Sequence, residues 1–287
     1  MSIRTRNSFL NQREVTNLIY FTMKTKVHMK TPISYYGGKQ SMLKHILPII
    51  PEHKIYVECF FGGGAVFFGK EPIKTEIIND YNGMVVNFYE QIKSNFDVVK
   101  KAIDATPFCR DTYAQALIVY NKPYLFNPHV KAWAFWVLTI QGFSNMIGSW
   151  RCSQPRHKEA MLNFNKKLLI NDELKQRLEL VQIENMDALK LIKSKDSPDT
   201  FFYCDPPYVG ADQGHYGGYT QEHFNELLEL LSTIKGKFLL SSYPNEMLEQ
   251  YRKKHGWYNA DKNMVLSISR SSNKRKTEAL TANYPIS

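Results

Sequence analysis

The chain has 287 residues, of which 43% are hydrophobic and 13% aromatic, with a formal net charge of +10 and a pI near 9.2. This composition excludes a disordered chain. No apolar run approaches the roughly 18 residues of a membrane span, so we expect no membrane partner. The charge indicates either a polyanionic partner or simply a basic surface, and composition alone leaves both interpretations open.

The four cysteines, Cys59, Cys109, Cys152 and Cys204, do not have the spacing of a metal site. We expect reduced thiols in a cytoplasmic protein, and no bound metal.

Residues 1–28 differ from the rest of the chain. They are basic, and their apolar run Leu18-Ile19-Tyr20-Phe21 is too short for the hydrophobic region of a signal peptide. Because Met23 and Met29 follow closely, we expect an N-terminal extension that is poorly ordered, and a folded protein that starts near Met29.

Beyond this segment, short apolar runs alternate with helix-like stretches, which is typical of an α/β sheet. Seven strands are predicted, at residues 55–58, 76–78, 180–183, 200–204, 238–242, 264–268 and 278–282. The polar segment 271–276 separates the last two and predicts a hairpin turn. We therefore expect a mostly parallel sheet with an antiparallel hairpin at one end.

Residues 97–171 interrupt the alternation and are too many for a simple crossover. Within them, 132–140 is apolar with two tryptophans, and 161–169 mixes apolar and basic residues. We expect a mainly helical subdomain inserted between the second and third strands, with residues 29–96 and 172–287 forming the other domain.

Near the start of the predicted fold, Tyr35-Tyr36-Gly37-Gly38-Lys39 places two glycines before a lysine. One interpretation is a helix that opens beside a ligand site. The other is a capped helix start with a solvated lysine, which is the better interpretation of this motif in isolation.

The first predicted strand runs into three consecutive glycines, in Glu58-Cys59-Phe60-Phe61-Gly62-Gly63-Gly64. Such glycines allow a tight turn and close approach of a ligand to the backbone. Asp80 ends the next strand, where an acid bonds ribose hydroxyls in nucleotide-binding sheets. The dinucleotide fingerprint and the Walker lysine are both absent, which favours a nucleoside cofactor over NAD or ATP. A plain strand-to-helix turn is the competing interpretation.

Asn185-Met186-Asp187 follows the third strand. The carboxylate of Asp187 there can accept a hydrogen bond from a cofactor's adenine amine, or it can be an ordinary helix N-cap, and the two are about equally supported.

Asp205-Pro206-Pro207-Tyr208 ends the fourth strand and has the narrowest chemistry. A residue before proline is extended, so the Asp205 carboxylate and the Pro206 carbonyl can point into one pocket. Tyr208 adds a flat aromatic face. Two acceptors and an aromatic face suit a planar ring that carries an NH2 group, such as adenine.

Cations and polar side chains cluster within the predicted insertion, and such a set suits phosphates and base edges. The set is Ser144, Asn145, Trp150, Arg151, Ser153, Gln154, Arg156, His157 and Lys158. Lys274, Arg275 and Lys276 form a second basic patch. A solvated loop is the alternative for both. Ser241 lacks the context of a nucleophile elbow, so we assign it no role.

In this order, the motifs resemble those of the Dam-like, alpha-group N6-adenine DNA methyltransferases, and look closest to the phage and prophage type. The resemblance covers residues 31–285 and rests on the Asp-Pro-Pro-Tyr motif and the glycine turn, with the insertion between them. The supporting motifs are Tyr36-Gly37-Gly38-Lys39, Asn79-Asp80, Asn185-Met186-Asp187 and Lys276-Thr277-Glu278-Ala279-Leu280. Cys59 departs from the family, which usually has proline there.

The resemblance implies a Rossmann-like sheet, S-adenosylmethionine as methyl donor, double-stranded DNA as partner and a target-recognition role for the insertion. The cofactor-binding residues it implies are Tyr36, Gly38, Lys39, Glu58, Phe60, Gly62, Gly64, Asp80, Asp187 and Asp205, and the catalytic ones are Asp205, Pro206, Pro207 and Tyr208. For DNA binding we predict Lys39, Ser144, Asn145, Arg151, Arg156, Lys158, Lys274 and Arg275.

We expect a flipped adenine to stack on Tyr208, with Tyr219 and Phe143 as weaker candidates for ring contacts. Three other functions compete. Protein glutamine N5-methyltransferases also alkylate a planar NH2 group, but their pattern has asparagine in place of Asp205. RNA adenine methylation uses the same pocket chemistry. A DNA-binding module that has lost catalysis is the non-enzymatic alternative. The sequence specifies neither a DNA word nor a restriction endonuclease partner.

Overall fold

The computed structural model describes residues 29–143, 146–151, 158–208, 218–265 and 275–286. The predicted N-terminal extension, residues 1–28, lies outside these ranges, and so does Cys152. The three described cysteines, Cys59, Cys109 and Cys204, are free thiols.

A seven-stranded sheet forms the centre of the described part of the chain. The strands are β1 Ile55–Glu58, β2 Thr75–Asn79, β3 Gln182–Glu184, β4 Thr200–Cys204, β5 Lys237–Ser242, β6 Tyr258–Val265 and β7 Arg275–Ala282. Their order is β3-β2-β1-β4-β5-β7-β6. The first five in that order are parallel, and β7 pairs antiparallel with both β5 and β6. The expected mostly parallel sheet with a terminal hairpin is therefore confirmed.

The sixth strand was predicted in the wrong place. The apolar run led to residues 264–268, whereas β6 is Tyr258–Val265 and begins six residues earlier. Within the described ranges β6 is an edge strand that pairs only with β7. It can begin in a polar segment because an edge strand does not need two apolar faces. Residues 266–268 lie outside the described ranges.

Helices cover both faces of the sheet. They are α1 Leu43–Ile46, α2 Ala65–Gly69, α3 Gly83–Ser94, α4 Phe96–Asp104, α5 Arg110–Asn121, α6 Pro128–Gln141, α7 Lys158–Lys167, α8 Asp172–Leu178, α9 Ala188–Lys195, α10 Gln221–Leu231 and α11 Glu246–His255. Short 3₁₀ turns occur at Leu47–Ile49 and Pro123–Leu125. None of the helices in the described ranges combines the length and apolar character that a membrane crossing requires.

The side chains of β4 show how the layers form, because all five are buried. Phe201 and Tyr203 point into one hydrophobic cluster, and Phe202 and Cys204 point into a second cluster on the opposite face. A strand buried on both faces needs such a continuous apolar sequence. The residue that follows β4 is therefore held on a rigid central strand.

Helices α3 to α8 lie between β2 and β3, where the helical insertion was expected. Trp136 of α6 is fully buried in the same hydrophobic cluster as Phe201 of β4. These helices and one face of the sheet thus share one hydrophobic cluster. The division into domains at 96/97 and 171/172 stays a prediction.

Candidate active site

The candidate site lies at the carboxyl edge of the sheet. Because β1, β2, β4 and β5 are parallel, the segments that follow them meet at this edge, where ligands bind in open α/β sheets. The register pairs Glu58 of β1 with Tyr203 of β4. The glycine turn and the Asp-Pro-Pro-Tyr motif therefore leave the sheet side by side.

Asp205 and Lys39 form an ion pair at this edge. Lys39 Nζ lies 2.8 Å from Asp205 Oδ1 and 3.6 Å from Glu278 Oε1, and it donates to the Gly37 carbonyl oxygen at 3.0 Å. Burial would lower the pKa of Lys39, but the carboxylates of Asp205 and Glu278 outweigh it and raise the pKa. Lys39 is only 7% exposed, so its interpretation as a solvated lysine at a capped helix start is wrong.

The carboxyl group of Asp205 is poised to change charge near neutral pH. Burial raises its pKa to about 6, with Lys39 opposing the shift and Glu278 adding to it. The Lys39 ammonium keeps this shift moderate, because an isolated buried carboxylate would be disfavoured more strongly. Above this pH the group is an anionic acceptor.

Tyr208 faces inward. Its hydroxyl lies 3.2 Å from both Asp205 Oδ1 and Ser241 Oγ, and it is closest to Glu278 Oε1, to which it donates. Lys39 Nζ lies 4.9 Å from the centre of its ring, and the Tyr243 ring packs edge-on at 4.2 Å. The ring is thus held at the site, and its stacking on adenine stays a prediction.

Sequence reasoning missed Glu278 and Ser241. Glu278 is 7% exposed and Ser241 is fully buried, and the Ser241 hydroxyl donates to Glu278 Oε1. The available signal is a single acid, Glu278, in strand β7 directly before the residues Ala279 and Leu280. The other signal is the position of Ser241 at the carboxyl end of β5. From the sequence alone we consider this serine only as a nucleophile and not as a hydrogen-bond donor.

The glycine turn is held by Asp80. Its carboxylate accepts hydrogen bonds from the backbone amides of Gly62 at 2.7 Å and Asn82 at 2.8 Å, and it is 1% exposed. Gly64 has φ +67°, and a Cβ there would lie 2.4 Å from the Phe61 ring. The turn therefore requires glycine. Ribose binding by Asp80 stays a prediction, and its observed role is to join the turn to the start of α3.

Glu58 lies beneath the turn, 2% exposed. Its Oε2 accepts from the Tyr56 hydroxyl at 2.5 Å and from the Phe67 backbone amide in α2 at 3.0 Å. Burial raises its pKa to about 8, partly offset by these two bonds. The observed role of Glu58 is to hold α2 against β1, and its predicted contact with a cofactor is untested.

Asp187 caps α9, since its Oδ1 accepts from the Lys190 backbone amide at 3.0 Å. The N-cap interpretation is therefore right. The second carboxylate oxygen of Asp187 could still accept from an adenine amine, and this contact stays a prediction.

Asn79 holds this edge together. Its side chain donates to the carbonyls of Cys59 and Met186 and accepts from the Met186 amide.

The remaining predicted cofactor residues also lie at this edge. Phe60 is half-buried and packs edge-on against Tyr219, with ring centres 6.4 Å apart. Tyr36 is half-buried, and the amide of Gly38 donates to the Tyr35 carbonyl at 3.2 Å.

The structure describes only some of the predicted DNA-binding residues. Arg151 is half-buried and its Nε donates to the Gly142 carbonyl at 3.2 Å, while Lys158 is exposed at the start of α7. Arg275 begins β7. The following residues lie outside the described ranges: Ser144, Asn145, Ser153, Gln154, Arg156, His157 and Lys274.

Trp150 anchors the end of this segment. Its ring lies 5.3 Å from that of Phe108, and the Arg110 guanidinium lies 4.7 Å from its centre. Phe143 is 57% exposed, so it is available for a ring contact.

Comparison with known proteins supports one chemistry. A family model described as D12 class N6 adenine-specific DNA methyltransferase matches residues 35–278. The chain is 25% identical to the type II methyltransferase M1.LlaDCHI of Lactococcus lactis subsp. cremoris, over 91% of this chain and 98% of that protein. It is 23% identical to the DNA adenine methylase of Escherichia coli, over 88% of this chain and 94% of that protein. The type II methyltransferase M.FokI of Planomicrobium okeanokoites is 23% identical over 91% of this chain, but over only 44% of its own length.

Proposed function

The chain belongs to the D12 class of N6 adenine-specific DNA methyltransferases, and we propose that Asp205 and Pro206 accept the amine hydrogens of an adenine flipped out of duplex DNA. The methyl donor that we propose is S-adenosylmethionine. The observation that carries the proposal is the position of Asp205. Its side chain is 17% exposed at the end of the central strand β4, beside the glycine turn.

The residues at this edge suit a nucleoside with an attached sulfonium. Phe60 and Tyr219 offer aromatic surface, and Asp187 uses one oxygen for its cap, which leaves the other as an acceptor for an adenine amine. Gly62 and Gly64 both have positive φ, and a turn made of glycines would let a ligand approach the backbone closely. S-adenosylmethionine supplies an activated methyl group when bound.

The chain's own contribution to the reaction is electrostatic. The exocyclic nitrogen of adenine is a poor nucleophile, because its lone pair is conjugated with the ring. As this nitrogen attacks the methyl group, the methyl–sulfur bond of the donor would break and a neutral thioether would leave, while the nitrogen becomes tetrahedral and gains positive charge. The Asp205 carboxylate and the Pro206 carbonyl are fixed acceptors that stabilise this growing charge, and rigid positioning supplies the rest of the rate. The surplus proton passes to water after the nitrogen has become cationic, because that nitrogen is then a strong acid.

The adenine must first leave the duplex, which costs a few kcal/mol. The net charge of +10 supports binding to DNA phosphates, and Arg151, Lys158 and Arg275 are proposed contributors. Contact between the flipped base and Tyr208 would offset part of the cost of unstacking. A cytoplasmic location and a phage or prophage type stay predictions, and no restriction endonuclease partner is proposed.

The test is methyl transfer from labelled S-adenosylmethionine to duplex DNA, structured RNA and a glutamine-containing peptide, with wild type and Asp205→Asn. We expect label in N6 of adenine in duplex DNA with wild type only, and DNA affinity of the variant within about threefold of wild type, since one uncharged isostere alters few phosphate contacts. Full turnover by Asp205→Asn, or label only in RNA or peptide, would refute the proposal.

A further inference from the structure

Asp205 Oδ1 meets two donors that compete with the adenine amine. Lys39 Nζ lies 2.8 Å from it and the Tyr208 hydroxyl 3.2 Å. A carboxylate oxygen that is engaged by an ammonium, and that a nearby phenol could also engage, accepts an incoming amine less well. Methyl transfer would therefore be faster if another acceptor drew these donors away from Asp205 Oδ1.

Glu278 stands beside both donors. The Tyr208 hydroxyl is closer to Glu278 Oε1 than to Asp205, and a phenol has only one hydrogen to give. Lys39 Nζ lies 3.6 Å from the same oxygen. Ser241 donates to it as well, which fixes the Glu278 carboxylate in place. Glu278 lies on β7 and is 7% exposed, so it is a rigid and poorly solvated acceptor.

We propose that Glu278 is a positioning residue that takes the Tyr208 hydroxyl hydrogen and, when adenine enters, the Lys39 ammonium, and so frees Asp205 Oδ1 for the target amine. This inference rests on the proposed function. The charge also favours it. Two carboxylates and one ammonium leave a net charge of −1 at the site, which suits a nitrogen that gains positive charge.

The test is Glu278→Gln, studied by single-turnover methyl transfer to duplex DNA. Glutamine keeps the shape but lacks the negative charge that draws the ammonium, so we expect the rate to fall by about 10-fold to 100-fold, as for a misplaced reacting group. The affinity for S-adenosylmethionine should stay within about twofold, because no cofactor contact is lost. The matched control is Glu90→Gln, an exposed acid on α3, which should retain the wild-type rate.

A second substitution separates positioning from a merely structural role. Adding Tyr208→Phe to Glu278→Gln removes one competing donor and keeps the ring. We expect the double variant to be about fivefold faster than Glu278→Gln, because coupled neighbours are not additive. A wild-type rate for Glu278→Gln, or a double variant no faster than the single one, would overturn the inference.

The pH profile is an independent readout. The titratable groups that face Asp205 are Lys39, Tyr203, Tyr208, Glu58 and Glu278. Loss of the Glu278 charge should move the acid limb of the rate to lower pH, and an unmoved limb would count against the inference.

If Glu278→Gln does not fold, Glu278→Asp takes its place. It keeps the charge but withdraws the oxygen from Tyr208, so a rate about tenfold below wild type, partly restored by Tyr208→Phe, is expected. An unchanged rate would refute the inference. The two claims remain distinguishable, because a wild-type protein that methylates no DNA would end the proposed function, whereas an active wild type with an equally active Glu278 variant would end only this inference.

Discussion

In the proposed mechanism Asp205 stabilises the cationic nitrogen through its negative charge, and burial raises the pKa of this carboxyl group to about 6. The sign of the pH effect follows from this. Below pH 6 the group is mostly protonated and no longer carries the negative charge that stabilises the cationic nitrogen, so kcat/KM should fall about tenfold per pH unit. Above pH 6 the acid limb should level off.

This prediction is checked by measuring kcat/KM on duplex DNA between pH 5 and 8. The affinity for S-adenosylmethionine, measured over the same range, separates loss of chemistry from loss of binding. A rate that is flat across pH 6, or that falls as pH rises through it, would contradict the acceptor role of Asp205.

Glu58 should make the free energy of unfolding depend on pH. Burial raises its pKa from 4.5 to about 8, so between these values the folded state holds a proton that the unfolded state has lost. The contribution of Glu58 to the free energy of unfolding is therefore fully present below pH 4.5. It decreases by about 1.4 kcal/mol per pH unit as pH rises toward 8. Glu58→Gln should remove this slope.

Urea unfolding of wild type and Glu58→Gln at pH 5.5, 6.5 and 7.5 tests it. The free energy of unfolding of wild type minus that of Glu58→Gln should fall as pH rises, by about 1.4 kcal/mol per pH unit, because only the wild type has to ionise the buried group. Parallel pH dependences would show that Glu58 titrates in the folded protein as it does in the unfolded chain.

At the scale of elements, one buried network joins α8, β2 and α2. Arg177 of α8 binds both oxygens of Glu76 in β2, at 2.5 and 3.0 Å, and donates to the Phe67 carbonyl of α2 at 3.0 Å. Lys70 also donates to Glu76. Arg177 is 5% exposed and Glu76 is 4% exposed. Removal of Arg177 would therefore leave the buried Glu76 carboxylate with Lys70 as the remaining cation of this network.

Arg177→Met should therefore destabilise the protein by about 3 kcal/mol. The matched control is Lys100→Met, which breaks an exposed pair with Asp104 on α4 and should cost less than about 0.5 kcal/mol. Thermal or urea unfolding of both variants is the measurement. Equal losses would mean that burial does not strengthen the network.

The elements were predictable where composition alone decides them. β4 is apolar throughout and was predicted at 200–204, its observed position, because a strand buried on both faces has no other composition. The prediction for β6 was wrong because a polar edge strand such as Tyr258–Val265 is stabilised by pairing with its partner β7. Local sequence does not reveal such pairing.

The site divides in the same way. The motif at Asp205 and the turn at Gly64 were predictable, since proline and glycine restrict the backbone locally. The burial of Lys39 was not, because it depends on Asp205 and Glu278, which lie more than a hundred residues away in the sequence. For the same reason Glu278 and Ser241 were recognised only from the fold.

At the scale of the whole molecule, the net charge of +10 predicts DNA binding that depends on salt. If about six phosphates are contacted, affinity should fall about 10³-fold between 50 and 200 mM salt. Lys158→Gln should reduce the salt slope by about one, whereas Lys253→Gln, on α11 outside the proposed interface, should leave it unchanged. Fluorescence anisotropy with a labelled duplex is the measurement. If the affinity of wild type depends only weakly on salt concentration, the net charge reflects a basic surface and not a DNA-binding one.

The most direct test is made in a host that lacks adenine methylation. The chain, or its Asp205→Ala variant, is expressed with a plasmid whose modified bases are then mapped by long-read sequencing. We expect N6-methyladenine at one recurring DNA word with the wild type, and none with the variant. Unmodified plasmid from cells that hold the folded wild-type protein, or equal modification by the variant, would contradict the account.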